Sequence, residues 1–160
     1  MASSEKNLSD VKISKSKNVS KLKVGIVVSE WNEQVTESLY AGAHKTLVDA
    51  GVTRNNIERM NVPGSFELSL GAQWMAERKE LDAVICLGCV IQGETKHFDF
   101  ICDAVAHGIT NVGLKYNKPV IFGVLTTNDL KQALDRAGGK HGNKGDEAAA
   151  TALGMLSARY

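Results

Sequence analysis

Apolar positions along this chain fall into two alternating patterns. Short apolar runs at Leu22–Ser29 (LKVGIVVS), Ala83–Leu87 (AVICL) and Pro119–Thr126 (PVIFGVLT) read as strands buried on both faces, and Ile57–Val62 reads as a shorter one. Between the runs, apolar residues recur at spacings of three and four. Val35, Leu39, Ala43 and Leu47 mark a helix over about 33–50, with Asn32 as N-cap and Gly51 as its stop. Pro63-Gly64-Ser65 turns the second strand into a helix running to about 78. Phe98, Ile101, Val105, Ile109 and Val112 mark a third helix over about 96–115. A short helix over about 128–137, a glycine-rich basic loop at 138–145 and an Ala-rich helix over about 146–159 complete the chain.

Strand and helix alternating four times predict a parallel sheet with right-handed crossovers and helices on both faces. The expected fold is α/β: a flavodoxin-like three-layer α/β/α sandwich with a four-stranded parallel sheet. Residues 1–20 are rich in Ser, Lys and Asn, with Leu8, Val11, Ile13 and Val19 interspersed. They read as an arm, loose alone or packed on a neighbour, where they suit an added strand. Residues 21–160 then form a single α/β domain.

Composition narrows the class. A chain of 160 residues suits one domain with a sizeable core. At 43% hydrophobic, 23% charged and +1 net, it is neither disordered nor membrane-spanning, and it lacks the basic surplus of a nucleic-acid binder. No apolar run approaches the roughly 18 residues needed to cross a bilayer. Three cysteines, an odd number behind an N-terminus without a secretory pattern, predict reduced thiols and a cytoplasmic location.

The chemical groups gather where strands give way to helices, the usual ligand position in an open α/β sheet. After the first strand, Trp31 beside Asn32 can stack on a flat ring or pack as a staple on its own helix. After the second, Gly64 leaves the N–H groups of Ser65 and Phe66 pointing outward. Glu67 either complements the helix dipole or accepts from ligand hydroxyls. After the third, Gly88-Cys-Val-Ile-Gln-Gly-Glu-Thr-Lys-His-Phe-Asp99 forms a strand-to-helix turn. Gly93, Glu94 and Thr95 can cradle an anion at the helix start. His97 either moves protons beside it or is a plain surface histidine, and Asp99 either orients His97 or serves the dipole. Phe122 is core or a wall for a ring. Arg136 favours a helix dipole or grips a phosphate through two parallel hydrogen bonds. Lys140 and Lys144 lie on the pliable glycine loop, which departs from the Walker pattern. Cys86-Leu-Gly-Cys89 reads as buried small hydrophobes rather than a redox pair. A His-x-Asp pair falls short of a metal site.

Together, Trp31-Asn32, Pro63-Gly-Ser-Phe-Glu67, the Gly88–Asp99 stretch, Phe122-Gly-Val-Leu-Thr-Thr127 and Arg136-Ala-Gly-Gly-Lys-His-Gly-Asn-Lys-Gly145 closely resemble the lumazine synthase family. The likeness covers about residues 22–159 in one order. It implies condensation of 5-amino-6-(D-ribitylamino)uracil with 3,4-dihydroxy-2-butanone 4-phosphate, giving 6,7-dimethyl-8-ribityllumazine, phosphate and water without a cofactor or metal. By position, the resemblance makes Trp31 the stacking aromatic and sets Asn32 at the pyrimidine edge. Ser65, Phe66 and Glu67 hold the ribityl chain, while Cys89, Val90 and Ile91 read the pyrimidine through their backbone. Glu94 and Thr95 form the phosphate loop, and His97 transfers protons. Phe122, Arg136 and Lys144 are lent by a neighbouring subunit, Arg136 gripping phosphate. Lys96 occupies a position that varies in the family.

The resemblance also implies small-molecule substrates and a pentameric homo-oligomer with shared sites. In many members twelve pentamers close into an icosahedral shell, and the compact Gly138–Gly145 loop favours that form. Riboflavin synthase is a candidate partner; nucleic acid and membrane are not expected ones. Two other classes share parts of the pattern: a flavin-carrying electron-transfer protein, and a non-catalytic module that binds a phosphorylated metabolite.

Overall fold

In a computed structural model, residues 19–158 are described. The expected arm over residues 1–20 lies outside them apart from Val19 and Ser20. Those two belong to a short 3-10 turn, Val19–Lys21. Val19 is buried against the core, and the Ser20 carbonyl accepts from Thr53 Oγ1 at 2.9 Å and Asn56 Nδ2 at 3.1 Å.

The elements then run β1 (Val24–Ser29), α1 (Glu33–Asp49), β2 (Ile57–Val62), α2 (Leu68–Glu77), β3 (Ala83–Ile91), α3 (His97–Tyr116) and β4 (Val120–Thr127). After these come α4 (Leu130–Leu134), β5 (Ala137–Gly139), β6 (Gly142–Asn143) and α5 (Lys144–Ala158). The main sheet is wholly parallel with order β2-β1-β3-β4, as the strand–helix alternation predicts. Side chains of a strand alternate between its two faces. On one face Val24, Ile26, Val28, Ile85 and Leu87 pack with Leu39, Leu47, Ala149 and Leu153 of α1 and α5. On the other, Val27, Val84 and Cys86 pack with Leu68, Met75, Val105 and Ile109 of α2 and α3. Burial on both faces is why these strands carry continuous apolar runs.

Two expectations need correction. β3 does not end at Leu87: residues Gly88–Ile91 continue it, paired with Val124–Thr127 of β4. The glycine-rich stretch is not a pliable loop. β5 and β6 pair antiparallel as a small hairpin, with Gly138 and Gly142 at φ of 106° and 73°, values that glycine adopts without a Cβ penalty. Helix α5 accordingly begins at Lys144 rather than at 146. No helix among the described residues is long and apolar enough to cross a membrane.

Candidate active site

The chain turns left from β1 to β2 and right from β3 to β4, so the sheet's switch point lies between β1 and β3. A crevice opens there at the carboxyl ends of the strands. The β1–α1 and β2–α2 loops are tied to each other on its β1 side, Glu30 N–H donating to the Val62 carbonyl (2.8 Å) and Trp31 N–H to the Pro63 carbonyl (3.1 Å). Asn32 sits in the left-handed region at φ 61°, a conformation Asn tolerates better than most residues. It is the N-cap residue of α1, as the sequence predicts, with its carbonyl accepting from Val35 and Thr36, but its side chain makes no capping hydrogen bond. Instead its amide reaches across the crevice and donates to the Cys89 carbonyl at 3.0 Å. Buried Ser65 donates to the same oxygen at 3.4 Å. One carbonyl of β3 therefore gathers the loops of β1 and β2 around it. Gly88 permits this approach, because a Cβ there would stand 2.7 Å from Ser65 Oγ.

The β1–β3 ladder ends at Val28–Leu87. Gly88 to Ile91 thus run past the last β1 pairing, where Asn32 and Ser65 meet the Cys89 carbonyl in its place, and Val90 and Ile91 are half-buried there. Trp31 stands over the opening, 72% exposed, and Phe66 is 55% exposed. A staple of Trp31 on its own helix would have buried it. Glu67, at the α2 N-cap position, makes no capping hydrogen bond and is exposed. Two exposed aromatic faces, a strand end beyond the last β1 pairing and a carboxylate suit a flat ring carrying hydroxyl groups.

Glu94 and Thr95 lie on the exposed turn between β3 and α3. Among the described residues, the N–H groups of Gly93, Glu94, Thr95 and Lys96 have no protein acceptor. Thr95 Oγ1 accepts from the His97 N–H at 3.3 Å, fixing the start of α3. Unpaired N–H groups at a helix start are the kind of group that suits an anion, and exposed His97 is the first residue of that helix. Asp99 does not orient His97; its carboxylate faces Lys96 Nζ at 3.6 Å.

Phe122, Arg136 and Lys144 are not brought to this cluster. Phe122 lies opposite Cys86 in the ladder, three residues short of Cys89 and so about 10 Å down the sheet, on edge strand β4. At 43% exposure it is not core. All three line a groove of about 1150 Å³ along β4, walled by α3 residues such as Thr110 and Leu114 and α5 residues such as Thr151 and Met155. Arg136 Nη1 donates to the Gln132 carbonyl at 3.1 Å, and the Arg136 carbonyl accepts the Lys144 N–H at 2.9 Å. The two cations are thus joined through the hairpin.

Two residues of this region escaped the sequence reading. Asn143 accepts from the Gly145 N–H (2.8 Å) and donates to the Ser38 carbonyl (2.8 Å), pinning the start of α5 to α1. Gly145 allows that contact, since a Cβ would fall on the Leu39 carbonyl. Glu147, buried, accepts from Lys144 Nζ at 2.5 Å; its spacing of three from Lys144 was a usable signal.

The Cys86 and Cys89 side chains face opposite sides of the sheet, as residues three apart in a strand must, and so cannot pair. Burial pushes the Cys86 thiol up to about 12 and the Cys89 thiol up to about 11, disfavouring the thiolate that redox chemistry requires. Among the described residues, no three His, Cys, Asp or Glu side chains gather closely enough to hold a metal ion.

The chain is similar to known proteins along almost its whole length. The family model for 6,7-dimethyl-8-ribityllumazine synthase matches residues 21–159. A protein of that name from Cytophaga hutchinsonii is 66% identical over 98% of this chain and 98% of its own length. One from Parabacteroides distasonis is 52% identical over 98% of both chains. One from Flavobacterium johnsoniae is 52% identical over 99% of this chain and 84% of its own. With a match of that extent, the chain belongs to the 6,7-dimethyl-8-ribityllumazine synthase family.

Proposed function

We propose that the crevice at the carboxyl ends of the strands and the groove along β4 are two halves of one active site, completed between neighbouring copies of the chain. The reaction is that of the family, the condensation of 5-amino-6-(D-ribitylamino)uracil with 3,4-dihydroxy-2-butanone 4-phosphate in riboflavin biosynthesis. It is a transferase reaction. The amine attacks the ketone, water leaves to give an imine, phosphate is eliminated, and the ring closes with loss of a second water.

In this reading Trp31 and the neighbouring copy's Phe122 stack on the pyrimidine, with Asn32 at its edge. Cys89, Val90 and Ile91 meet the pyrimidine at the end of β3, past the last β1 pairing. Ser65, Phe66 and Glu67 hold the ribityl chain. Glu94 and Thr95 present main-chain N–H groups to the phosphate, and Arg136 and Lys144 approach it from the neighbour. His97 moves protons between the reacting centres. Each step is a proton transfer or loss of a good leaving group, so positioning the two substrates supplies most of the benefit, and no cofactor or metal is required.

The observation that carries the shared site is the separation of Arg136, Lys144 and Phe122 from the cradle within one chain. A second supports it: Leu70 and Trp74 on α2, with Phe66 just ahead of it, are exposed apolar residues at spacings of four. Such residues on one face and a groove on another make a heterologous contact, which closes into a ring when the rotation allows. We take the ring as a pentamer. Twelve of them would form a shell, which the compact β5–β6 hairpin leaves unobstructed. The cysteine use suits the cytoplasm. Riboflavin synthase, which would consume the product, is the proposed partner.

Mixed assemblies test the shared site. Chains carrying Arg136→Ala and chains carrying Thr95→Ala with His97→Ala each damage one half. Co-expressed in equal amounts, they are expected to recover activity at about a quarter of their interfaces, where two intact halves of a heterologous contact meet. Recovery of nothing in a co-assembled sample would place the whole site within one chain. Sedimentation in neutral buffer is expected to show a shell-sized species. A lone pentamer-sized species removes the shell, and a monomer removes the ring as well.

A further inference from the structure

The groove that holds Arg136 and Lys144 is lined by two further charged groups, Lys118 and Glu147, and of these Glu147 is the one that meets Lys144. Glu147 Oε1 lies 2.5 Å from Lys144 Nζ, and the two side chains are only 11% and 22% exposed. Lys144 is the first residue of α5 and Glu147 stands one turn later. A helix start favours a carboxylate and disfavours an ammonium, so Glu147 is the member of the pair that suits its place. Lys144 is held there by it. Arg136 differs: its guanidinium donates to a backbone carbonyl, and among the described residues no carboxylate lies within ion-pair distance of it. Arg136, Lys144 and Glu147 therefore sum to one positive charge, with the Lys118 ammonium turned to the Ala76 and Arg78 carbonyls, against about −1.5 to −2 on a phosphate monoester at pH 7.

We propose that Glu147 is a positioning residue that acts through Lys144. It fixes the ammonium at the groove wall and cancels much of its charge, which limits the grip on phosphate. The consequence belongs to the end of the reaction. Phosphate is a leaving group here, and an interaction equally strong with substrate and released anion does not speed turnover. With two unopposed cations the groove would retain the freed anion; with Glu147 in place it lets it go. This inference rests on reading Arg136 and Lys144 as the neighbour's phosphate-binding groups.

A purely structural ion pair at the start of α5 predicts that removing the carboxylate weakens the fold and leaves phosphate binding unchanged or weaker. A charge-cancelling role predicts a gain. The test uses the full-length assembled enzyme and inorganic phosphate as probe, by calorimetry and by inhibition of turnover. Glu147→Gln keeps the volume and an acceptor for Lys144 but removes the charge. It is expected to tighten phosphate binding about two- to fivefold, the scale of one partly exposed charge pair, and to lower KM for the phosphorylated ketone in parallel. Combining it with Lys144→Met is expected to erase the gain. Unchanged or weaker binding in the assembled Gln variant overturns the proposal, as does a gain that persists without Lys144. If Glu147→Gln fails to assemble, Glu147→Ala, which fits the Ala-rich helix, carries the same expectation. Phosphate binding that survives Arg136→Ala would instead overturn the underlying phosphate assignment.

Discussion

Arg136→Ala is expected to weaken use of the phosphorylated ketone, raising its KM by about 30- to 150-fold, while KM for the ribitylaminouracil stays within about twofold. The size follows from losing a charge-assisted, two-pronged contact to an anion, worth about 2–3 kcal/mol. The selectivity follows from the proposed roles, because Arg136 meets the phosphate at the Glu94–Thr95 turn, whereas the ribitylaminouracil rests on Trp31, Asn32 and Glu67. The fold survives the change: the bonds that hold the hairpin, Arg136 carbonyl to Lys144 N–H and Arg136 N–H to Ala133 carbonyl, are main-chain bonds. Truncation frees only the Gln132 carbonyl from the guanidinium. Arg136→Lys should fall between, keeping the charge and losing the planar fork. Steady-state kinetics varying each substrate separately decides it; an unchanged KM for the phosphorylated ketone removes Arg136 from the site.

Much of the fold was readable because burial on two faces leaves an unmistakable mark on a strand. Ala83–Leu87 and Leu22–Ser29 are apolar at nearly every position, and both lie in the sheet's interior. The end of β3 was misread for a physical reason. Gly88 looks like a turn residue, yet it is a glycine because Ser65 and Leu68 crowd against it. The strand continues to Ile91 because β4 pairs with it that far. The Gly138–Gly145 stretch misled in the same way. Its glycines supply the backbone angles of a hairpin, and the bond from Lys144 N–H to the Arg136 carbonyl closes it.

For the site, the residue types at strand ends were legible, and so was their division into two groups. Long-range partners were not. The role of Asn32 depends on a carbonyl 57 residues away, and nothing local distinguishes that from a helix cap. Asn143 reaches 105 residues back to Ser38. Glu147 had a helical spacing from Lys144 that a reader could have used, but its burial belongs to the packing of α5 on β4. The alternative reading of Asp99 as an orienter of His97 fell to a nearer cation, Lys96.

The diversion of Asp99 sets the second large effect. His97→Ala is expected to lower kcat by about 10²-fold, at the bottom of the usual range for acid–base groups, with both KM values little changed. A histidine that a carboxylate aligns and charges contributes more than one standing alone on a helix start. Here Asp99 is engaged elsewhere, and His97 is exposed, with its position set by the bond from its own N–H to Thr95 Oγ1. Most of the acceleration then comes from holding amine and ketone together, which the substitution leaves intact, and water can carry the protons more slowly. His97→Gln should do no better than alanine, because it keeps a polar group but cannot take a proton. Turnover measured on variants shown to assemble normally tests this. Complete loss of activity in an assembled His97→Ala enzyme would mean that proton transfer, rather than positioning, dominates the catalysis.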